Sequence, residues 1–144
     1  MAAVIVVGVD ALHDNERALT AAARLAERTD HVLVAVYVAH IPAAAAADPL
    51  CGSIIMTSLD DTVDHCHMAC ELSLARTDVH WTFEVRHGDP ASALMQAGID
   101  HDADCIVVGR RGSRPLAARL LGSVTKRLVL HADRPVLVVP PSHA

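Results

Sequence analysis

The sequence predicts an α/β domain built on a parallel β-sheet, and three observations carry the prediction. Short runs dominated by valine recur along the chain. Each of the first four is followed by a stretch whose apolar residues fall at helical spacing or that opens on a capping residue. Glycine, proline and Asn/Asp clusters separate the two kinds of segment. At 144 residues the chain is long enough for one domain with a real core, spanning 1–144, and too short for two comfortable ones.

Val4–Val9 is a continuous β-branched run of the kind buried on both faces of a parallel sheet, and it ends at Asp10. Asn15 is placed to cap a helix from about Glu16 to Arg28, with Ala18, Leu19, Ala22, Leu25 and Ala26 on one face. His31–Ala39 reads as the second strand. Residues 40–53 read as a loop, because their alanine run lies between Pro42 and Pro49. A long helix follows from Ile54 to about Thr77, then a third strand over Val79–Arg86. Gly88-Asp89-Pro90 is a turn with Asp89 as cap and Pro90 at the first helical position, and that helix ends near Ile99. Asp104–Val108 is strand four, Gly122–His131 a helix and Val136–Val139 the last strand. Strands separated by helices imply right-handed crossovers, with ligands beyond the carboxyl ends of the strands where their order reverses. The order itself is not legible in the pattern.

Composition narrows the function. Tyr37, Trp81 and Phe83 are the only aromatic residues among Phe, Trp and Tyr, which disfavours the stacking platforms of single-stranded nucleic-acid binders. A formal net charge of −5 lacks the basic footprint of a general DNA or RNA binder. No apolar run approaches the roughly 20 residues that span a bilayer. The N-terminus has no basic region before its apolar run and reads as a strand, so a cytoplasmic, reducing location and free thiols are expected.

The chemistry concentrates between Cys105 and Thr125 (CIVVGRRGSRPLAARLLGSVT). A buried-strand run ends in Gly109, Gly112 follows, and Gly122-Ser123 opens a helix. Glycine lets backbone approach a ligand closely. A helix start presents unpaired N–H groups and the positive end of a dipole, which suits phosphate.

Gly109-x2-Gly112-x9-Gly122-Ser123, after a strand and before a helix, resembles the nucleotide-binding signature of the universal stress protein family. VIVVGVD, GDPASALMQ, DCIVVGRRG and PVLVVP resemble further segments of that family in the same order, so the likeness covers almost the whole chain. The resemblance implies a three-layer, doubly wound, Rossmann-like fold with five parallel strands ordered 3-2-1-4-5. It also implies homodimers that pair the last strand, Val136–Val139, and bound ATP, with Mg2+ as the accompanying cation. Carried over by residue, Asp10 lies near the ribose or a metal-bridged phosphate. Tyr37 and Val38 fall where adenine is met through main-chain atoms. Gly109 passes under the ribose and phosphates, and Arg110, Arg111, Gly112 and Ser113 form the phosphate loop. Gly122, Ser123, Val124 and Thr125 bring donors to the phosphate tail. One departure is that Ala11-Leu12 stand where the family often has Gly-Ser.

The functional expectation is a stress-response regulatory protein that couples adenine-nucleotide binding to an unknown protein partner. The alternative is an ATP-hydrolysing enzyme of the adenine-nucleotide α-hydrolase-like group. Against it, VDALHD is no SGGxDS-type pyrophosphate loop, and no lysine precedes Lys126, so P-loop phosphoryl transfer is disfavoured and slow hydrolysis is the most expected. A third reading is a metal or redox sensor on Cys66 and Cys70, one helical turn apart on one face, with His67 paired with Cys70 or Glu71. Ordinary helix packing competes with it, since buried cysteines behave as small hydrophobes.

Overall fold

Four valine-rich runs and the aromatic-bearing segment WTFEVRH form five parallel strands: β1 (Ala3–Val9), β2 (His31–Ala39), β3 (Trp81–His87), β4 (Cys105–Gly109) and β5 (Val136–Val139). The computed structural model describes residues 2–10, 15–39, 48–110 and 122–141. Strand order is β3-β2-β1-β4-β5, the order that the resemblance implies. Four helices occur among the described residues: α1 (Glu16–Thr29), α2 (Pro49–Leu74), α3 (Pro90–Asp100) and α4 (Ser123–His131).

Both faces of the sheet are covered. On one, Ile5, Val7, Leu33, Ala35 and Val107 pack against Leu19, Ala22 and Ala26 of α1 and Cys66, Cys70 and Leu74 of α2. On the other, Val6, Val34, Val36 and Ile106 meet Leu94 and Ala97 of α3 and Leu128 of α4. Two-sided burial is the reason β1, β2 and β4 read as unbroken apolar runs, whereas β3 at the sheet edge alternates Trp81, Phe83 and Val85 with Thr82, Glu84 and Arg86. Gly8 admits Leu94 to this core, since a Cβ there would stand 3.0 Å from Leu94 Cδ1.

Several boundaries differ from the sequence reading for local reasons. The second helix begins at Pro49, so residues 49–53 are helical rather than loop, while 40–47 lie outside the described residues. Asp48 starts it early by accepting from the Leu50 amide at 2.9 Å, with Pro49 in the first turn. It stops at Leu74, whose carbonyl takes both the amide and the hydroxyl of Thr77. Strand three opens at Trp81 rather than Val79, though Val79 is buried in the core. Asn15 precedes α1 but makes no side-chain cap bond. The Asp89 cap is as expected, accepting from the Ser92 amide at 3.0 Å.

Candidate functional site

Main-chain direction decides what the strand ends offer. In a parallel sheet the N–H and C=O of one residue point to the same neighbouring strand, and successive residues alternate. Leu33 donates its amide to His80 and Ala39 accepts from the Gly88 amide, so odd-numbered residues of β2 face β3. Val38 therefore faces β1, one residue beyond the last β1–β2 pair, Val9 with Tyr37. By the same rule, the amides of Ile106 and Arg110 donate to Pro135 and Val139 of the β5 side, so Gly109 faces β1. It lies two residues past the Val7–Val107 pair. β2 and β4 thus point main-chain groups from both sides toward the space above the end of β1, where the strand order reverses.

Asp10 stands at the end of β1 and is half-buried. Asn15 holds its backbone at both groups: the Asp10 amide donates to Asn15 Oδ1 at 2.9 Å, and Asn15 Nδ2 donates to the Asp10 carbonyl at 2.5 Å. The carboxylate lies within electrostatic reach of β2 and α2. Burial, then Cys66, then Asp10 push the Tyr37 hydroxyl above its ordinary value. Cys66 is held below its ordinary value by the Cys70 thiol, which donates to it, against burial and the Asp10 charge. Cys70 is pushed up by that same bond and by burial.

Gly109 is exposed at the end of β4, and a Cβ there would meet only Ala18 Cβ, at 3.9 Å, among the described residues. The described residues therefore leave room for a side chain at this position. Its carbonyl accepts from the Thr125 hydroxyl at 3.3 Å, and Thr125 is buried in the first turn of α4. Arg110 Nε is buried with no hydrogen-bond partner among the described residues, an exceptional state for a guanidinium nitrogen. Arg111, Gly112 and Ser113 lie outside the described residues.

The start of α4 is prepared differently from those of α2 and α3. Asp48 and Asp89 cap the latter two with their carboxylates. Gly122 caps α4 with no side chain, and its first turn has no acidic residue. The amides of Ser123 and Val124 and the positive end of the helix dipole are therefore left without a neutralising carboxylate of that helix. Arg127, one turn further on, is engaged elsewhere, with Nη1 donating to Asp89 at 2.5 Å and Nη2 to Ser92 Oγ at 3.4 Å. Asp10, Val38, Gly109, Arg110, Gly122, Ser123 and Val124 all lie at the carboxyl end of the sheet. Thr125 as a tie and the Asp89–Arg127 pair are not legible in the sequence, because each joins elements that only the fold brings together, and Asn15 as a clamp depends on the course of the connection between Asp10 and α1.

The cysteine cluster is core. Cys66 and Cys70 are each 1% exposed and pack with β1 and β2. His67 stacks on Phe83 with centroids 4.6 Å apart and lies 3.5 Å from Glu71. No group of three or more His, Cys, Asp or Glu residues able to hold a metal occurs among the described residues. Nor is any helix among them long and apolar enough to cross a membrane.

Fold and strand-end geometry together define a doubly wound α/β domain with its candidate crevice at the reversal of strand order. The chain belongs to the universal stress protein family, whose model matches residues 1–140. It is similar to the universal stress protein Rv1996 of Mycobacterium tuberculosis, 36% identical over 89 residues, a match covering 61% of this chain and 27% of that protein. The chain thus matches only about a quarter of the length of that relative. Among solved structures it is similar to the universal stress protein UspA of Lactobacillus plantarum, with TM-score 0.79, 26% identity and coverage of 95% of this chain and 97% of that one. It is also similar to a universal stress protein in complex with cAMP, with TM-score 0.63, 25% identity and coverage of 98% of both chains.

Proposed function

We propose that this chain, as one domain over 1–144, binds an adenine nucleotide, ATP in its working form, in the crevice between the ends of β1, β2 and β4. We further propose that the bound nucleotide sets its interaction with a regulatory protein partner in a cytoplasmic stress response. The observation that carries this reading is the convergence on one crevice of the Val38 carbonyl, Asp10, Gly109 and a helix start without an acidic cap. The cAMP complex of a family relative supports the choice of base.

In this reading the Val38 carbonyl accepts from the adenine amine and Asp10 faces the ribose or a cation-bridged phosphate. Gly109 lets the backbone pass beneath the sugar, and Arg110, Arg111, Gly112 and Ser113 enclose the phosphates. Gly122, Ser123 and Val124 donate to the phosphate tail. Mg2+ fits such a site, since it is held by one or two carboxylates together with substrate phosphates, and Asp10 would be that carboxylate. The residues named supply donors and one carboxylate but no lysine, which favours holding the nucleotide over transferring its phosphoryl group.

The chain also pairs with a second copy through β5. That strand forms one edge of the sheet, and Leu137 on it is exposed, as are Val129 and Leu130 on the neighbouring α4. An apolar edge strand invites strand pairing, and a second copy of the same edge satisfies it.

Mass spectrometry of ligand released from freshly purified protein, combined with calorimetric titration of ATP, tests the reading. Adenine nucleotide recovered or bound in the wild type, and weakened in Gly122→Val, is the expected result. An absence of both retained and added nucleotide would overturn it. Sedimentation of the wild type against Leu137→Arg reads out the dimer.

A further inference from the structure

We infer that Asn15 is a positioning residue for the ribose contact of Asp10, an inference that rests on the proposed nucleotide reading. The Asn15 carboxamide is a planar unit with one acceptor and one donor, as a peptide group is. It receives the Asp10 amide on Oδ1 and donates from Nδ2 to the Asp10 carbonyl. Reversing the carboxamide would set donor against donor and oxygen against oxygen, so only this orientation satisfies both groups. Asn15 thus does for Asp10 what a neighbouring strand does for the residues before it.

The arrangement comes at the expense of the ordinary role of this position. Asn15 has helical backbone angles, φ −95° and ψ −3°, and gives α1 no side-chain cap bond. Its main chain still serves the helix, the Leu19 amide donating to the Asn15 carbonyl at 2.9 Å. Serine and aspartate, equally good at helix starts, lack the donor–acceptor pair in this geometry. Two bonds across one residue fix its φ and ψ, and with them the direction of its Cα–Cβ bond. The Asp10 side chain thereby leaves the backbone from one fixed point and in one fixed direction, with only its own rotamers to choose among, rather than swinging with the chain beyond the sheet ladder.

The test compares AMP with its dideoxy analogue, which lacks both ribose hydroxyls, by calorimetric titration of the full chain. Wild-type protein is expected to favour AMP by about tenfold, the size of one well-made hydrogen bond. In Asn15→Ser that ratio is expected to fall toward one. Serine is a favoured capping residue, so α1 is retained in this variant, and circular dichroism checks that. Asn15→Ala serves as a second replacement and is expected to lose the ratio equally. Full discrimination in either folded variant overturns the clamp while leaving the nucleotide reading intact. Wild-type protein that binds both ligands equally overturns the ribose role of Asp10 and the clamp with it. Failure of the wild type to bind either ligand overturns the nucleotide reading itself.

Discussion

The Thr125 hydroxyl donates to the Gly109 carbonyl at 3.3 Å, joining the first turn of α4 to the last residue of β4. Gly109 and Ser123 are far apart in sequence, and this bond helps hold their elements in register at the mouth of the crevice. Thr125 is 3% exposed, so its hydroxyl has little access to water and depends on this bond, while Gly109 at the other end is exposed. Thr125→Val keeps the shape and removes the bond. It is expected to cost about 1 kcal/mol in urea unfolding and to weaken nucleotide binding. Unchanged affinity would show that the tie has no part in the site.

Gly109 gives a sharper separation of fold from function. A Cβ meets nothing closer than 3.9 Å there among the described residues, so Gly109→Ala should change stability by less than about 0.5 kcal/mol. If backbone must lie under the sugar and phosphates, the same methyl is expected to reduce nucleotide affinity by tenfold or more, read by titration.

Gly8 should behave in the opposite way. Its missing side chain makes room for Leu94, whose methyls would lie 3.0 and 3.2 Å from an added Cβ. Gly8→Val overpacks this contact and is expected to destabilise by about 1–3 kcal/mol in chemical denaturation.

The Asp89–Arg127 pair predicts an acid limit. Asp89 is lowered from 3.8 to about 2, first by hydrogen bonds from Ser92 and then by Arg127. Its folded value lies below its unfolded one, so the contribution is present above pH 3.8 and fades as pH falls toward 2. Carboxyl titration by NMR should find the Asp89 midpoint near 2, and Ser92→Ala should raise it.

How much of this was legible beforehand follows from which interactions are local. The helix start at Pro90 was readable because Asp89 caps it three residues away, within one turn. The early start at Pro49 has the same kind of cause in Asp48, but the flanking prolines and alanines masked it. Gly109 is legible from the glycine pattern and Val38 only through the family likeness, yet the direction of their main-chain groups requires the strand register. Asn15 looked like a cap because asparagine commonly is one. Its actual partner, Asp10, lies across a connection whose course the sequence does not specify. The crevice chemistry was therefore visible as residue types, and its assembly was not.

Amide chemical-shift mapping during an ATP titration locates the nucleotide on the sheet. Saturable shifts are expected at Asp10, Val38, Gly109, Arg110, Ser123 and Val124, with Asp30 and Asp104 at the opposite end of the sheet unmoved. Saturable shifts confined to that opposite end, or none at millimolar ATP, would contradict nucleotide binding in the crevice.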